Sequence, residues 1–192
     1  MGLPAKSFVT AEEYLALERQ SECKNEYWKG QIFAMSGGSS AHSLIAGNLG
    51  DSLRRPLRKK GCLVYGSDMR VRTSAKGIYT YPDASAVCGK PKFATRTEDT
   101  LLNPVLLAEV LSPSTERYDR VGKFALYSDI PTLREYLLIS SDKVCVERYF
   151  RRPGGKWKRT EATSLKDSIR LASVPAILKL KDLYKQVDLP SS

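Results

Sequence analysis

Apolar and polar residues run along this chain in two rhythms. Tyr14, Leu15 and Leu17 form an apolar side behind Thr10, with Glu12 and Glu13 following it. An N-cap hydroxyl and first-turn carboxylates answer the unpaired amides and positive end of a helix, which predicts one over residues 11–20. Residues 25–35 read as a short strand and Ser36-Gly37-Gly38-Ser39-Ser40 as a turn. Leu44, Ile45, Leu49, Ser52 and Leu53 then lie near helical spacing, predicting a second helix over 41–58 with a strongly basic far end. The rhythm changes at residues 62–71, 79–88 and 105–111, which are apolar or alternating runs separated by Gly, Lys and Pro, as in the strands of a central sheet. Ser112-Pro113-Ser114-Thr115 offers N-caps for a helix over 116–128, and a strand follows at 135–140. Strand, helix, strand is the layout of a right-handed crossover between parallel strands. Residues 144–150 and 156–160, divided by Arg151-Arg152-Pro153-Gly154-Gly155, predict a hairpin, and residues 178–187 a closing helix. The class is α/β or α+β with a mixed sheet.

One strand breaks its own pattern. By parity Val105, Leu107, Glu109 and Leu111 share a face opposite Leu106, Ala108 and Val110, so Glu109 projects from an otherwise apolar surface. An uncompensated buried carboxylate costs several kcal/mol or more, so Glu109 is protonated, ion-paired, or part of a cation site. Asp83 follows Pro82 and precedes Ala84-Ser85-Ala86-Val87, near the start of another strand. If the two strands adjoin, both carboxylates reach one hard cation such as Mg²⁺, which takes oxygen ligands, waters and phosphate oxygens. The plainer alternatives are that Asp83 is a turn residue and that Glu109 pairs with Arg70 or Arg72.

A chain of 192 residues with 42% apolar residues fits one domain, 1–192, and no fixed-period repeat divides it. The net charge of +10 favours a polyanionic partner. Cys23, Cys62, Cys88 and Cys145 are scattered, without a Cys-x-x-Cys pair, and are read as reduced thiols. No apolar run is long enough for a membrane helix and no signal-peptide layout is present, so a cytoplasmic protein is expected; Lys6 sits where a myristoylation signal after Gly2 wants Ser or Thr. His42 is the only histidine, which argues against histidine-rich metal chemistry. It is placed either near phosphate or simply at a helix start. The serines near it lack a Gly-x-Ser-x-Gly elbow, and Ser36-Gly37-Gly38 lacks the Lys-Ser/Thr ending of a P-loop. Two basic tracts are candidates to follow a nucleic-acid backbone: Arg54, Arg55, Arg58, Lys59 and Lys60, and then Arg148, Arg151, Arg152, Lys156, Lys158 and Arg159 among Tyr149, Phe150 and Trp157. Their alternative is a solvated rim.

Pro82-Asp83 followed by Glu109 in an apolar strand resembles the PD-(D/E)XK nuclease superfamily. Glu26-Tyr27-Trp28-Lys29-Gly30, Met35-Ser36-Gly37-Gly38, His42, Tyr81-Pro82-Asp83, Glu109-Val110-Leu111-Ser112-Pro113-Ser114-Thr115, Asp119, Lys123 and Arg134-Glu135-Tyr136 resemble, more specifically, the Uma-type restriction endonuclease family, over about residues 10–185. The resemblance implies a restriction-endonuclease-like core, a mixed central sheet flanked by helices, and Mg²⁺-dependent (or Mn²⁺-dependent) cleavage of DNA, with a homodimer expected for double-strand cutting. Asp83 and Glu109 would bind metal, and Glu26 would assist. The sequence departs from the superfamily at Leu111, where a lysine would project from the same strand face as Glu109. The resemblance assigns that role to Lys123 on the next helix; alone, Lys123 and Asp119 would read as an exposed i,i+4 pair. The competing readings are a nucleic-acid-binding protein that keeps the fold without cleavage, and a structural or partner-binding protein.

Overall fold

Thr10 begins the first helix as its sequence dictates. Its hydroxyl accepts from the Glu13 amide at 3.2 Å, and the Glu13 carboxylate accepts from the Thr10 amide at 2.7 Å, a reciprocal capping box. The computed structural model describes residues 8–74, 77–113 and 115–190; Gly2, Lys6 and the N-cap candidate Ser114 lie outside them. Helix α1 (Ala11–Glu18) is followed by β1 (Asn25–Trp28) and β2 (Gln31–Ala34). The single strand expected at 25–35 is thus a hairpin. Lys29 and Gly30 take φ of 47° and 83°, the paired positive values of a two-residue turn whose twist matches its strands.

Ser39 caps α2 (Ser40–Leu57), its hydroxyl accepting from the His42 amide. The helix buries Ile45, Leu49, Leu53 and Leu57 along one stripe. Two of the expected strands each divide in two: β3 (Cys62–Gly66) and β4 (Arg70–Ser74), then β5 (Ile78–Thr80) and β6 (Ala84–Cys88). Between β5 and β6 stands Tyr81-Pro82-Asp83, where proline has no amide for a ladder. There the chain leaves one sheet and enters another. After β7 (Thr100–Leu101) and β8 (Leu106–Leu111), residues Tyr118–Lys123 form a π-helical segment that continues as α3 (Phe124–Ser128). The remaining elements are β9 (Glu135–Ser140), β10 (Val146–Arg151), β11 (Trp157–Ala162), β12 (Ser168–Arg170), β13 (Ile177–Lys179) and α4 (Leu180–Leu183).

The mixed sheet expected from the sequence is present, and among the described residues it is accompanied by a second mixed sheet and a two-stranded antiparallel one, β12-β13. A six-stranded sheet has the order β11-β10-β9-β8-β6-β3 and a five-stranded sheet the order β2-β1-β5-β4-β7. In the first, β8 and β9 are parallel and joined through the π-helical turns and α3, as the strand-helix-strand pattern requires. The strand parity of β8 holds. Leu106, Ala108 and Val110 pack in the core beneath α2 and the C-terminal segment, while Leu107 and Leu111 pack with Tyr127, Leu133 and Tyr136 on the opposite face. The closing helix expected at 178–187 is shorter, with β13 using its first residues. On the five-stranded sheet, Tyr14 of α1 stacks on Tyr27 with ring centroids 4.9 Å apart and meets Tyr79 at 5.4 Å.

The cysteines are corrected in part. Cys62 and Cys88 form a disulfide, while Cys23 and Cys145 are free. The pair are direct cross-strand partners of β3 and β6, a proximity that a sequence separation of 26 conceals.

Candidate active site

Strand register brings the two leading carboxylates together. Ala84 of β6 pairs with Ala108 of β8 in antiparallel register, so Asp83 and Glu109 lie one residue beyond that pair on neighbouring strands. Asp83 is held from two sides: its Oδ2 accepts from the Val110 amide at 2.7 Å and lies 3.3 Å from His42 Nε2. The Asp83 carboxylate raises the His42 imidazole above its ordinary pKa, against burial. His42 therefore joins this site from the first turn of α2.

Glu109 is 3% exposed and has a cation after all, delivered by the helix after its own strand. Lys123 Nζ lies 3.1 Å from Glu109, 3.2 Å from Glu26 and 3.2 Å from Asp119. Arg70, considered as a partner for Glu109, instead binds Asp99, Thr100 and the Tyr81 hydroxyl. Nor are Lys123 and Asp119 an exposed pair: they are 6% and 3% exposed. Burial alone would lower the Lys123 pKa, but Glu109, Glu26 and Asp119 outweigh it and hold the ammonium well above its usual range. Burial pushes the Glu109 carboxyl well upward, reinforced by Asp83 and Asp119 and opposed by Lys123. The local result is a fixed cation beneath a carboxyl that ionises reluctantly.

Glu26 reaches this centre from the other sheet. Its Oε1 also accepts from the Tyr81 amide at 3.4 Å, tying β1 to the Tyr-Pro-Asp turn. Tyr127 was not singled out from the sequence. Its buried hydroxyl donates to Glu109 Oε1 at 2.6 Å and sits 3.1 Å from the Thr80 hydroxyl. Part of the signal was available: Asp119, Lys123 and Tyr127 recur every four residues, a spacing that puts them on one side of a helix. The Tyr136 hydroxyl in turn donates to the Asp119 carbonyl.

The basic tracts lie elsewhere. Arg58, the C-cap of α2, is 16 residues beyond His42, about 24 Å along the helix axis. Arg54, Arg55 and Arg58 line a groove of about 520 Å³ with Leu63 and Val64 at the outer strand β3, and Lys59 and Lys60 are exposed beyond it. Arg151 donates to the Ser128 carbonyl at 2.6 Å and lies over the Trp157 ring, whereas Arg152 is exposed in the hairpin turn. Arg148 and Arg159 form ion pairs with Glu135 and Glu147. Among the described residues no helix is long and apolar enough to cross a membrane.

For a divalent cation, the donor chemistry fits. Among the described residues Asp83 Oδ1 and Glu109 Oε2 accept no hydrogen bond, and two carboxylates with open oxygens suit a hard ion that completes its shell with waters and phosphate. Among the same residues no three His, Cys, Asp or Glu side chains already form a cation-ready group. Three carboxylates converge on Lys123 instead.

Known proteins resemble this chain in sequence or in fold. An uncharacterized protein of Synechocystis, slr1290, is 41% identical over 149 residues, covering 78% of this chain and 77% of that protein. A second from the same organism, sll1609, is 35% identical over 161 residues, covering 84% and 91%. The crystal structure of a putative nuclease of the DUF820 family from Anabaena variabilis superposes with a TM-score of 0.75 at 18% identity, covering 92% of this chain and 97% of its own, which establishes a common fold. Residues 11–181 match the Uma2 family, described as putative restriction endonuclease, and the chain belongs to that family.

Proposed function

We propose that the protein hydrolyses phosphodiester bonds of DNA with Mg²⁺ or Mn²⁺ as cofactor. The observation that carries this reading is the Lys123 ammonium 3.1 Å from Glu109, beside the strand mouth where Asp83 projects. It supplies the positive charge that Leu111 does not. Family membership favours the same class of chemistry.

Asp83 and Glu109 would hold the cation, which when bound would activate a water and polarise the scissile phosphate. The protein's own groups prepare that site. The Val110 amide and His42 fix the Asp83 carboxylate on one oxygen and leave the other open. The Tyr127 hydroxyl fixes Glu109 in the same one-sided way. Lys123, held protonated by its three carboxylates, acts as a fixed charge toward the anion that develops at phosphorus, not as a base. Glu26 positions Lys123 and links it to the second sheet. The open oxygens give a cation two ligands without dismantling either anchor.

The test is cleavage of supercoiled plasmid, linear duplex and single-stranded DNA with Mg²⁺ or Mn²⁺, with and without chelator. Cleavage should vanish with chelator and in folded Asp83→Ala and Glu109→Ala variants. Undiminished cleavage in both would refute the assignment. Salt-sensitive DNA binding without cleavage under any divalent ion would favour a non-catalytic binder.

A further inference from the structure

The hairpin that delivers Glu26 carries a second feature on the same face. Glu26 and Phe33 are direct cross-strand partners in β1 and β2, and Trp28 lies two residues along from Glu26. Strand parity therefore puts Phe33 and Trp28 on the Glu26 side, opposite Tyr27, which packs under α1. Phe33 is 45% exposed and Trp28 39%. From the helix side Tyr118 is 36% exposed, its ring 5.6 Å from Lys123 Nζ. A Cβ at Gly122 would come 2.7 Å from that ring, so glycine is what lets Tyr118 lie there. Aromatic rings thus border the carboxylate–lysine centre from two elements while the core has no use for them.

We propose that Phe33, Trp28 and Tyr118 form a stacking platform for unpaired bases, so that the strand entering this site is single-stranded or locally unwound. The inference rests on the nuclease reading and specifies its substrate. A duplex keeps its base faces covered, and only an unstacked base offers a π-face to an exposed ring. Charge agrees with that occupant. Lys29, exposed in the hairpin turn, holds its ammonium 5.3 Å over the Trp28 ring, where it can meet a backbone phosphate while the ring meets the base. Strand β2 itself, Gln31–Ala34, has no charged residue and every residue exposed, a surface suited to bases.

Equilibrium binding decides it, measured in chelator so that no strand is cut. A fluorescein-labelled oligonucleotide is titrated with the full-length protein, single-stranded and as its own duplex, while tryptophan emission is followed. The single strand should bind more tightly and quench the emission. Phe33→Leu and Tyr118→Leu should each weaken single-strand binding by roughly 5- to 150-fold, the span of one base–aromatic stack, and alter duplex binding less than about twofold by the same reasoning. Phe33→Trp should restore binding, because it replaces the π-face that leucine lacks. Equal losses for single strand and duplex, or no loss in either variant, would overturn the platform. So would a dimer that dissociates in Phe33→Leu with unchanged affinity per site, which would make β2 a contact between copies. Stacking-dependent binding with no metal-dependent cleavage would sink the nuclease reading and leave the platform. Duplex cleavage indifferent to Phe33 and Tyr118 would do the reverse.

Discussion

Two buried glutamates on neighbouring parallel strands behave oppositely. Glu135 begins β9 and is fully buried, yet its carboxylate accepts from the Ala172 amide, from the Ser173 amide at 2.9 Å and hydroxyl at 2.6 Å, and from Arg148 Nε. Both oxygens are engaged, and the result is a rivet that holds the 172–173 turn to the sheet. Glu109 in β8 is buried almost as deeply, but receives one tyrosine hydroxyl and one shared ammonium, both on Oε1. Burial of a carboxylate is common to both. Saturation of its acceptors separates the structural group from the one with capacity to spare.

The largest expected effect breaks the pair apart. Glu109→Ala should abolish metal-dependent cleavage while the protein stays folded by circular dichroism, whereas Glu135→Ala should cost about 3–5 kcal/mol in denaturant unfolding by leaving Arg148 without its anion. If Glu135→Ala removed activity without loss of stability, the contrast would fail. Next is the charge that balances the site. Lys123→Met should lower the cleavage rate by about 10²- to 10³-fold, on the scale of one lost electrostatic stabiliser. It should also change the pH dependence of stability. The Glu109 carboxyl is already raised by burial, and without Lys123 it rises further. A raised carboxyl contributes most below its unfolded value near ~4.3 and loses that contribution as pH climbs through the folded value. The variant's unfolding midpoint should therefore fall, relative to the parent, between acid and neutral pH; parallel pH profiles would contradict the coupling.

A smaller change sharpens the comparison at the level of a single hydroxyl. Tyr127→Phe should weaken Mg²⁺ affinity by about 10- to 100-fold, as expected for a group that orients a metal ligand, with the cation titrated directly by calorimetry. An unchanged affinity would reduce Tyr127 to packing. The smallest effect concerns a saturated carboxylate just before β7, at the edge of the other sheet. Asp99 is engaged by Arg19, Arg70 and Thr100, and although burial opposes them they hold it well below the usual range. A depressed carboxyl contributes fully above its unfolded value near ~3.9 and loses that contribution as pH falls toward the folded one. Asp99→Asn should accordingly flatten the decline in stability below about pH 4, read as Tm against pH. A decline as steep as the parent's would remove Asp99 from the class to which Glu135 belongs.

Much of the architecture was legible in the sequence because it depends on local periodicity. The capping box at Thr10, the α2 stripe, the β8–β9 crossover and the β10–β11 hairpin all follow from spacing and turn chemistry. Where the structure departs from the sequence reading, the reason is local once and long-range elsewhere. The run 25–35 folds back at Lys29-Gly30, where Lys29-Gly30-Gln31 interrupts its apolar positions and both turn residues take positive φ. The runs 62–71 and 79–88 divide because the chain changes sheets. Cys62 and Cys88 meet only because β3 lies beside β6.

The site divides along the same line. Sequence by itself determined that Glu109 interrupts an apolar strand face, that Asp83 follows a proline where a ladder must end, and that position 111 carries no lysine, since parity and proline geometry belong to the local chain. Only the tertiary structure decided that Asp83 stands beside Glu109, that Lys123 and Tyr127 descend on it from the crossover helix, and that Glu26 arrives from a second sheet. Those contacts depend on strand register and on which surfaces pack together, and neither is encoded in any short stretch of residues. The same packing that saturates Glu135 leaves Glu109 with an open oxygen.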